Sequence, residues 1–334
     1  MSARPTEQTS ADHPARVGTQ TRRVEYVVLA AVILLPLVSR DVSLLDRFGG
    51  YFLLAIFAMS VDLIWGYGGM LTFGHAAFFG GGGYLTAMLT THTGWLLPLP
   101  LALAIIVAVV GAGLLAAAMS YFAFSGKLAL RGVEFAVVTL AVAVMAERLA
   151  SAGGSITGGQ NGILTDSRLE IPGVISLHRG VGFYWLAAAL AIVSYLALQR
   201  FVRSRSGLVL RGVRSNQDRV SLLGYDVPGV QRRAFVIASG LAAFAGSVYF
   251  TQFGIISPRS VGVAASTLVL LWVVLGGRGT LIGPVIGAIS LPYLTSSLSR
   301  GSLLDIWLVV VGVILVAVIL ILPSGIFGFL VRDQ

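Results

Sequence analysis

The stretch LPLALAIIVAVVGAGLLAAAM, from Leu99 to Met119, decides the fold class of this chain. It is long enough to cross the hydrocarbon core of a bilayer as one helix, and it contains no charged residue. A membrane-spanning β-strand would instead alternate apolar and polar residues over about ten positions. Because a bilayer offers no water to unpaired backbone groups, this continuous apolar run predicts a spanning helix.

The rest of the 334-residue chain has the same character. Hydrophobic residues make up 56% of it and charged residues only 11%, whereas a typical soluble domain has about 25% charged residues. We predict an all-α bundle of about ten membrane spans (eight to eleven), in a single domain at 24–330 that follows a disordered tail at 1–23. The predicted spans are 25–39, 48–65, 71–91, 96–123, 128–150, 182–202, 232–253, 263–277, 280–298 and 303–322.

The distribution of arginines predicts the orientation. Eight arginines lie between Arg200 and Arg233, against two aspartates, and positive residues are enriched on the cytoplasmic side of membrane proteins. This predicts a cytoplasmic loop at 203–230, an external loop at 151–181 and both termini in the cytoplasm. Topology thus explains the net charge of +9, and we expect no nucleic-acid partner. Cysteine is absent, which excludes disulfides and thiolate metal sites, and we expect no cofactor.

The segment DLIWGYGGMLTFGH, from Asp62 to His75, places glycine and ionisable residues where lipid-spanning sequence is expected. Glycine costs about 1 kcal/mol in a helix interior, and irregular backbone at membrane depth is tolerated only where it is buried in protein or lines a cavity. Two interpretations stay open and are compatible: close helix packing and a pathway for a small polar solute. The candidate pathway residues here are Asp62, Trp65, Gly66, Gly68, Gly74 and His75.

A second feature lies in the arginine-rich loop, between Arg203 and Asp226. Valines and a leucine recur there at near-helical spacing (Val209, Val213, Val220 and Leu223), with arginines off that face. The pattern predicts one or two short amphipathic helices outside the membrane. Contact with anionic lipid alone is one interpretation; a docking surface for a cytoplasmic partner is the other. The candidate docking residues are Gly207, Arg211, Arg214, Asp218 and Gly224.

A third feature is a series of glycines at four-residue steps: Gly279, Gly283 and Gly287. On a helix this spacing lets a second helix approach closely. The alanines and Gly246 in the 239–246 run are a candidate partner face.

The chain shows no energy source of its own. A nucleotide-binding P-loop requires Gly-Lys followed by Ser or Thr, but Leu128 follows the single lysine, Lys127. Energy therefore comes from a partner, or the protein is a gradient-driven carrier, or it is a passive channel for a small polar solute. In the gradient alternative Asp62, Glu134 or Glu147 would couple to an ion, although Arg131 and Arg148 are close enough in sequence to form ion pairs with the two glutamates. The chain also lacks the residue patterns of a catalytic centre, so we do not expect an enzyme.

Several motifs, in order over residues 50–328, resemble the permease subunits of branched-chain amino-acid ABC importers, the Liv type, and their urea-importing relatives. The motifs are D-L-x-W-G-Y at 62–67, L-R-G-x-x-F at 130–135, G-G-x-N-G-I at 158–163, the G-G-R-G-T-L-I-G run at 276–283 and L-P-S-G-I-F-G at 322–328. The similarity is to the second, Liv-M-like kind of subunit.

This resemblance implies a non-catalytic permease subunit of the bacterial plasma membrane. It implies four partners: a homologous permease subunit that forms a heterodimer, two cytoplasmic ATP-binding subunits and an extracytoplasmic substrate-binding protein. The implied cargo is a branched-chain amino acid, or a related small polar nutrient such as urea or a short amide. It also adds Asn161 to the candidate pathway and makes the 203–230 loop the segment that receives the ATPase stroke.

Overall fold

The computed structural model describes residues 41–91, 99–124, 130, 132–164, 170–171, 175–176, 180–299, 312 and 325. The predicted tail at 1–23 and the predicted span at 25–39 lie outside these residues. Only Gly312 is described within the predicted span at 303–322, and only Gly325 within the motif at 322–328.

Helices dominate the described residues. In chain order they are α1 Val42–Asp62, α2 His75–Thr90, α3 Leu101–Phe124, α4 Val133–Ala152, α5 Gly154–Thr157, α6 Val181–Arg203, α7 Arg205–Ser215, α8 Gln217–Leu222, α9 Val227–Phe253, α10 Val263–Gly276 and α11 Ile282–Leu298. A π-helical turn, Leu63–Tyr67, continues α1, and single 3₁₀ turns lie at Gly159–Asn161 and Pro258–Ser260.

Four two-residue strands complete the secondary structure: β1 Ile163–Leu164, β2 Glu170–Ile171, β3 Ile175–Ser176 and β4 Ile255–Ile256. β1 pairs antiparallel with β4, and β2 pairs antiparallel with β3.

Five described helical segments are long and apolar enough to cross a membrane: Val42–Tyr67, Leu101–Phe124, Val133–Ala152, Val181–Arg203 and Val227–Phe253. Two further apolar helices, α10 and α11, are shorter. The chain is therefore a multi-pass, all-α membrane protein, as the apolar runs predict. The total of about ten spans and the cytoplasmic termini stay predictions.

The interior of the bundle is built around α1 and α9. In their most apolar stretches 83% and 67% of the residues are buried, against 17% in α3 and 28% in α4. α1 contacts α6, α9, α10 and α11, and α9 also contacts α2 and α3. α3 and α4 therefore present most of their apolar side chains outward.

Glycines allow α2 and α9 to pack backbone against backbone. A Cβ on Gly246 would overlap the Phe79 carbonyl, and one on Gly82 would overlap the backbone of Ala243. Helices approach this closely only where small residues line the contact. Gly246 therefore faces α2, so its expected role as partner of the 279–287 glycine series is wrong.

The glycine series itself is divided between a loop and a helix. Gly283 and Gly287 lie in α11 and pack against the backbone of α10, at the Gly276 and Trp272 carbonyls. Gly279 instead lies in the loop before α11 with a φ of 80°. A single helical face over all three residues is thus wrong, because a left-handed backbone conformation interrupts the helix before Ile282.

Candidate functional site

The helix break that the glycines predict begins at the end of α1. The π-helical turn Leu63–Tyr67 is followed by coil, and Gly69 adopts a φ of 72°. The Gly69 N–H still donates to the Trp65 carbonyl at 3.0 Å, and the Met70 N–H donates to the Ile64 carbonyl at 3.1 Å. Single π turns of this type are frequent at functional sites.

Asp62 connects this break to the loop between α10 and α11. The side chain is fully buried, and its two carboxylate oxygens accept hydrogen bonds from the N–H groups of Gly279 at 2.5 Å and Leu281 at 3.0 Å. A buried carboxylate is costly unless it is hydrogen-bonded. Asp62 therefore holds the loop against the end of α1, although more than two hundred residues separate the two in sequence.

The loop has an unusual backbone. Gly277, Gly279 and Leu281 have φ values of 114°, 80° and 58°, a region that glycine adopts without steric cost. The Thr280 hydroxyl donates to the Gly277 carbonyl at 2.7 Å and accepts from the Gly283 N–H at 3.0 Å. These bonds keep the loop compact, so that its N–H groups point at Asp62.

Two short helices pack against the same end of the bundle. Ser204 caps α7 by accepting from the Gly207 N–H at 3.4 Å, and Asn216 caps α8 by accepting from the Arg219 N–H at 2.8 Å. Side-chain oxygens at these positions satisfy N–H groups that a helix leaves unpaired. The predicted pair of short helices between Arg203 and Asp226 is confirmed.

The buried face of this helix pair differs from the prediction at one residue. Val213, Val220 and Val227 form a small buried cluster, with Val209 packed against it, whereas Leu223 is 70% exposed. Its assignment to the buried face is wrong, because α8 ends at Leu222 and the chain turns there.

Arg214, on α7, joins these parts. Its Nη1 donates a hydrogen bond to the Gly66 carbonyl and lies so close to Gly279 that a Cβ there would be 2.8 Å away. Gly69 packs against the stem of the same side chain. We call the group of Asp62, Gly66, Arg214 and Gly279 the arginine junction. It links a short peripheral helix, the break after α1 and the α10–α11 loop.

The other candidate docking residues lie around this junction. Arg211 donates from Nη2 to the Val202 carbonyl at 3.2 Å, which holds α7 to the end of α6. Gly207 is buried against the Phe201 and Val202 carbonyls. Asp218 is exposed on α8, and Gly224 has a φ of 83° in the turn that follows.

His75 and Gly74 belong to the packed core at the start of α2. His75 is 1% exposed, with its Nε2 3.1 Å from the Ser60 hydroxyl oxygen. That hydroxyl donates to the Phe57 carbonyl at 2.7 Å, so it can accept from the histidine. A Cβ on Gly74 would lie 2.5 Å from the Thr139 carbonyl oxygen on α4.

The structure does not bring all candidate pathway residues together. Trp65 is half-buried beside the junction, with the Arg278 guanidinium 5.6 Å from the centre of its ring. Asn161 is exposed in the 3₁₀ turn before β1, outside the junction. Arg278 and Thr280 were missed as candidates, although both lie between closely spaced glycines in the G-G-R-G-T-L-I-G run.

The glutamates of α4 lie at its two ends. Glu134 is exposed in the first turn, and Arg131, its expected partner, lies outside the described residues. Glu147 is half-buried, with its carboxylate against the Gly262 backbone. The expected ion pair of Glu147 with Arg148 is wrong for the described part of the chain, because consecutive residues on a helix point in different directions.

The described chain is thus a multi-pass helical bundle whose peripheral helix α7 is hydrogen-bonded to the interrupted end of α1. Residues 46–319 match the family described as "Branched-chain amino acid transport system / permease component", and the chain belongs to this family. Its relatives LivM and LivH are described as permease proteins of high-affinity branched-chain amino acid transport systems.

Individual relatives match different lengths of the chain. The high-affinity branched-chain amino acid transport system permease protein LivM of Escherichia coli K12 is 28% identical over 264 residues, which are 71% of this chain and 59% of that protein. LivH of the same organism is 28% identical over 290 residues, 82% of this chain and 91% of LivH. A probable LivM of Methanocaldococcus jannaschii is 31% identical over 136 residues, 40% of this chain and 39% of that protein. No solved structure matches.

Proposed function

We propose that this chain is a permease subunit of an ATP-driven importer in the bacterial plasma membrane. Its cargo is a branched-chain amino acid, or a related small polar nutrient such as urea or a short amide. It works with a homologous permease subunit, two cytoplasmic ATP-binding subunits and an extracytoplasmic binding protein that delivers the cargo. Family membership and the similarity to the LivM and LivH permease proteins support the transport role.

The arginine junction is the observation that carries this proposal. α7 and α8 lie where the arginine distribution predicts the cytoplasm, and they contact the transmembrane bundle through Arg214, which binds the Gly66 carbonyl. Asp62 then ties the same point to the α10–α11 loop. A displacement of α7 by a partner is therefore transmitted to two interruptions of the bundle at once.

The outer surface of the helix pair supports a docked partner. Four apolar side chains are exposed there: Leu208 (57%), Leu222 (88%), Leu223 (70%) and Tyr225 (55%). Exposed apolar side chains on helices that also carry arginines are typical of a protein-binding surface. An ATP-binding subunit seated here would push on α7 and α8 when it closes around nucleotide.

The candidate pathway residues near the junction act, in this proposal, as a gate. Five of them are buried, as expected of a closed gate: Asp62, Gly66, Gly68, Gly74 and His75. Movement of Arg214 away from the Gly66 carbonyl would free the coil that follows α1. The glycines there allow this coil to change conformation at small steric cost.

A gradient-driven carrier or channel is the alternative, with Asp62, Glu134 or Glu147 as the ion-coupling group. Asp62 is fully buried, and both of its carboxylate oxygens accept hydrogen bonds from backbone N–H groups. This geometry favours the ATP-driven mechanism over coupling through Asp62.

Reconstituted uptake separates the two mechanisms. The chain is purified with its homologous permease and both ATP-binding subunits, placed in proteoliposomes and given the binding protein loaded with leucine, or urea. We expect uptake that requires ATP on the ATPase side and persists when ionophores collapse all ion gradients. Uptake without ATP, abolished by the ionophores, would overturn the proposal. A complex with an inactive Walker A lysine in the ATP-binding subunits is the control.

A further inference from the structure

A cleft of about 810 Å³ lies beside the end of α4, away from the arginine junction. Its volume is in the range of small-molecule sites, about 300–1,000 Å³. Three segments meet there: the last turns of α4, the 3₁₀ turn Gly159–Asn161 and the segment around Pro258–Ser260. The residues that matter for the argument are Val144, Glu147, Arg148, Gln160, Ser257 and Arg259, all of which line the cleft.

The walls of this cleft are fixed by backbone pairing. Ile163 in β1 lies opposite Ile256 in β4, and this short antiparallel pair places the 3₁₀ turn before β1 beside the segment after β4. Gly162 packs so closely on the Ile256 carbonyl that it leaves no room for a side chain. The polar groups of Gln160 and Ser257 are therefore held on neighbouring walls.

The cleft carries charges of both signs. Glu147 is half-buried, and Arg148 and Arg259 are exposed. Within the described ranges, none of these three side chains forms an ion pair or a hydrogen bond. Charged groups that converge on one cavity without satisfying each other are available to a ligand.

Glu147 is held in place by its surroundings. Its carboxylate lies directly over Gly262, the residue that precedes α10, where any side chain would overlap it. A negative charge is favourable beside a helix N-terminus. The carboxylate therefore lies against the start of α10, and Arg148 and Arg259 line the same cavity.

We infer that this cleft is a binding site for a small zwitterion, an α-amino acid in particular. The Glu147 carboxylate would accept the ammonium group, and Arg259 or Arg148 would bind the carboxylate, which a guanidinium can do through two parallel hydrogen bonds. Val144 supplies an apolar wall for the side chain. An uncharged solute of similar size would leave these charges unpaired, which disfavours its binding.

This inference rests on the proposed function and makes it more specific. Among the candidate cargoes, only an amino acid carries the two opposite charges that the cleft complements, whereas urea and short amides carry none. The predicted topology places the cleft on the external side, at the end of the bundle opposite the arginine junction. There it would receive cargo from the binding protein before the gate opens.

Ligand-observed saturation-transfer NMR on the complete permease complex in nanodiscs tests the site, because the method detects millimolar affinities. The probes are leucine, the uncharged isovaleramide and urea, each titrated separately. We expect saturation of leucine that is stronger than that of either uncharged probe. Glu147→Gln and Arg259→Gln should each raise the apparent Kd for leucine about tenfold or more, while Arg47→Gln, an arginine outside the cleft, should leave it unchanged.

The outcomes are distinct from those of the uptake experiment. Any one of three results would overturn the site. These are equal signals from leucine and isovaleramide, no leucine signal at 10 mM or above, and an unchanged affinity for leucine in both cleft variants. If leucine binds as expected but ATP drives no uptake, the site stands and the proposed importer function fails. A Glu147→Asp variant that restores part of the affinity would support a charge contact over a packing role.

Discussion

Removal of the Asp62 carboxylate is the perturbation whose consequence follows most directly from the geometry. Asp62→Ala leaves the N–H groups of Gly279 and Leu281 buried without an acceptor, since both now donate to that side chain. Asp62→Asn keeps one acceptor oxygen but turns an NH₂ group toward one of the two donors. The alanine variant should therefore be the less stable of the two.

The magnitude comes from the two hydrogen bonds. Hydrogen bonds to charged groups contribute about 1.5–3 kcal/mol each, so the loss of both in Asp62→Ala amounts to about 3–6 kcal/mol. Asp62→Asn should cost about half of that. Asp41→Ala is the control at the start of the same helix, because its exposed carboxylate accepts a capping bond from the Ser43 N–H, for which about 1 kcal/mol is expected.

The assay is thermal unfolding of the purified complex in detergent, followed by intrinsic fluorescence at one fixed scan rate, since membrane proteins unfold irreversibly. We expect the apparent Tm to fall in the order wild type, Asp41→Ala, Asp62→Asn, Asp62→Ala. If Asp62→Ala unfolds no earlier than Asp41→Ala, the carboxylate does not hold the α10–α11 loop.

Further predictions concern glycine packing and loop strain, each read out by the same unfolding assay. Gly81→Ala should stabilise α2 by about 0.5–1 kcal/mol, because nothing lies within 4 Å of the new Cβ. Gly82→Ala should instead destabilise the protein strongly, because its Cβ would collide with the Ala243 backbone. Equal effects of the two substitutions on the apparent Tm would contradict the close packing of α2 on α9. Leu281→Gly should relieve about 1–2 kcal/mol of strain from the positive φ of this residue. It also removes a side chain that is only 2% exposed, and truncation of such a side chain costs about 2–5 kcal/mol of stability. A net loss of stability is therefore expected, and a gain would show that strain outweighs burial at this position.

The helical elements could be predicted because apolar runs and helix ends are local properties of the sequence. The run from Leu99 to Met119 lies largely within α3, and the valine spacing between Arg203 and Asp226 predicted α7 and α8. The error at Leu223 has a local cause too. The periodic pattern extends one residue past the end of α8, where the backbone no longer follows the helical spacing.

The arginine junction could be predicted only in part, because its contacts are distant in sequence. Asp62, Gly66 and Arg214 were each candidates, but nothing in the sequence pairs Asp62 with Gly279 or Arg214 with Gly66. Gly279 was assigned to a helix because four-residue spacing does not reveal the sign of φ. The packing of α2 on α9 likewise depends on which helices become neighbours, which the glycines alone do not determine.

The cleft at the end of α4 shows the same limit. Glu147 and Arg148 are adjacent in sequence and suggest an ion pair, yet they form none with each other and both line the cleft. Arg259 joins them only because β1 pairs with β4. A site assembled from three separate segments leaves no single motif to recognise.

The central claim is that Arg214 transmits the movement of the ATP-binding subunits to the break after α1. The most direct test measures the number of solute molecules imported per ATP hydrolysed by the reconstituted complex. The Arg214→Gln complex is compared with wild type and with a control, Arg233→Gln, which changes an exposed arginine of α9 outside the junction. The account predicts that ATP hydrolysis continues in the Arg214 variant while import per ATP falls at least tenfold, and that the Arg233 variant matches wild type. An unchanged ratio in Arg214→Gln would contradict the account.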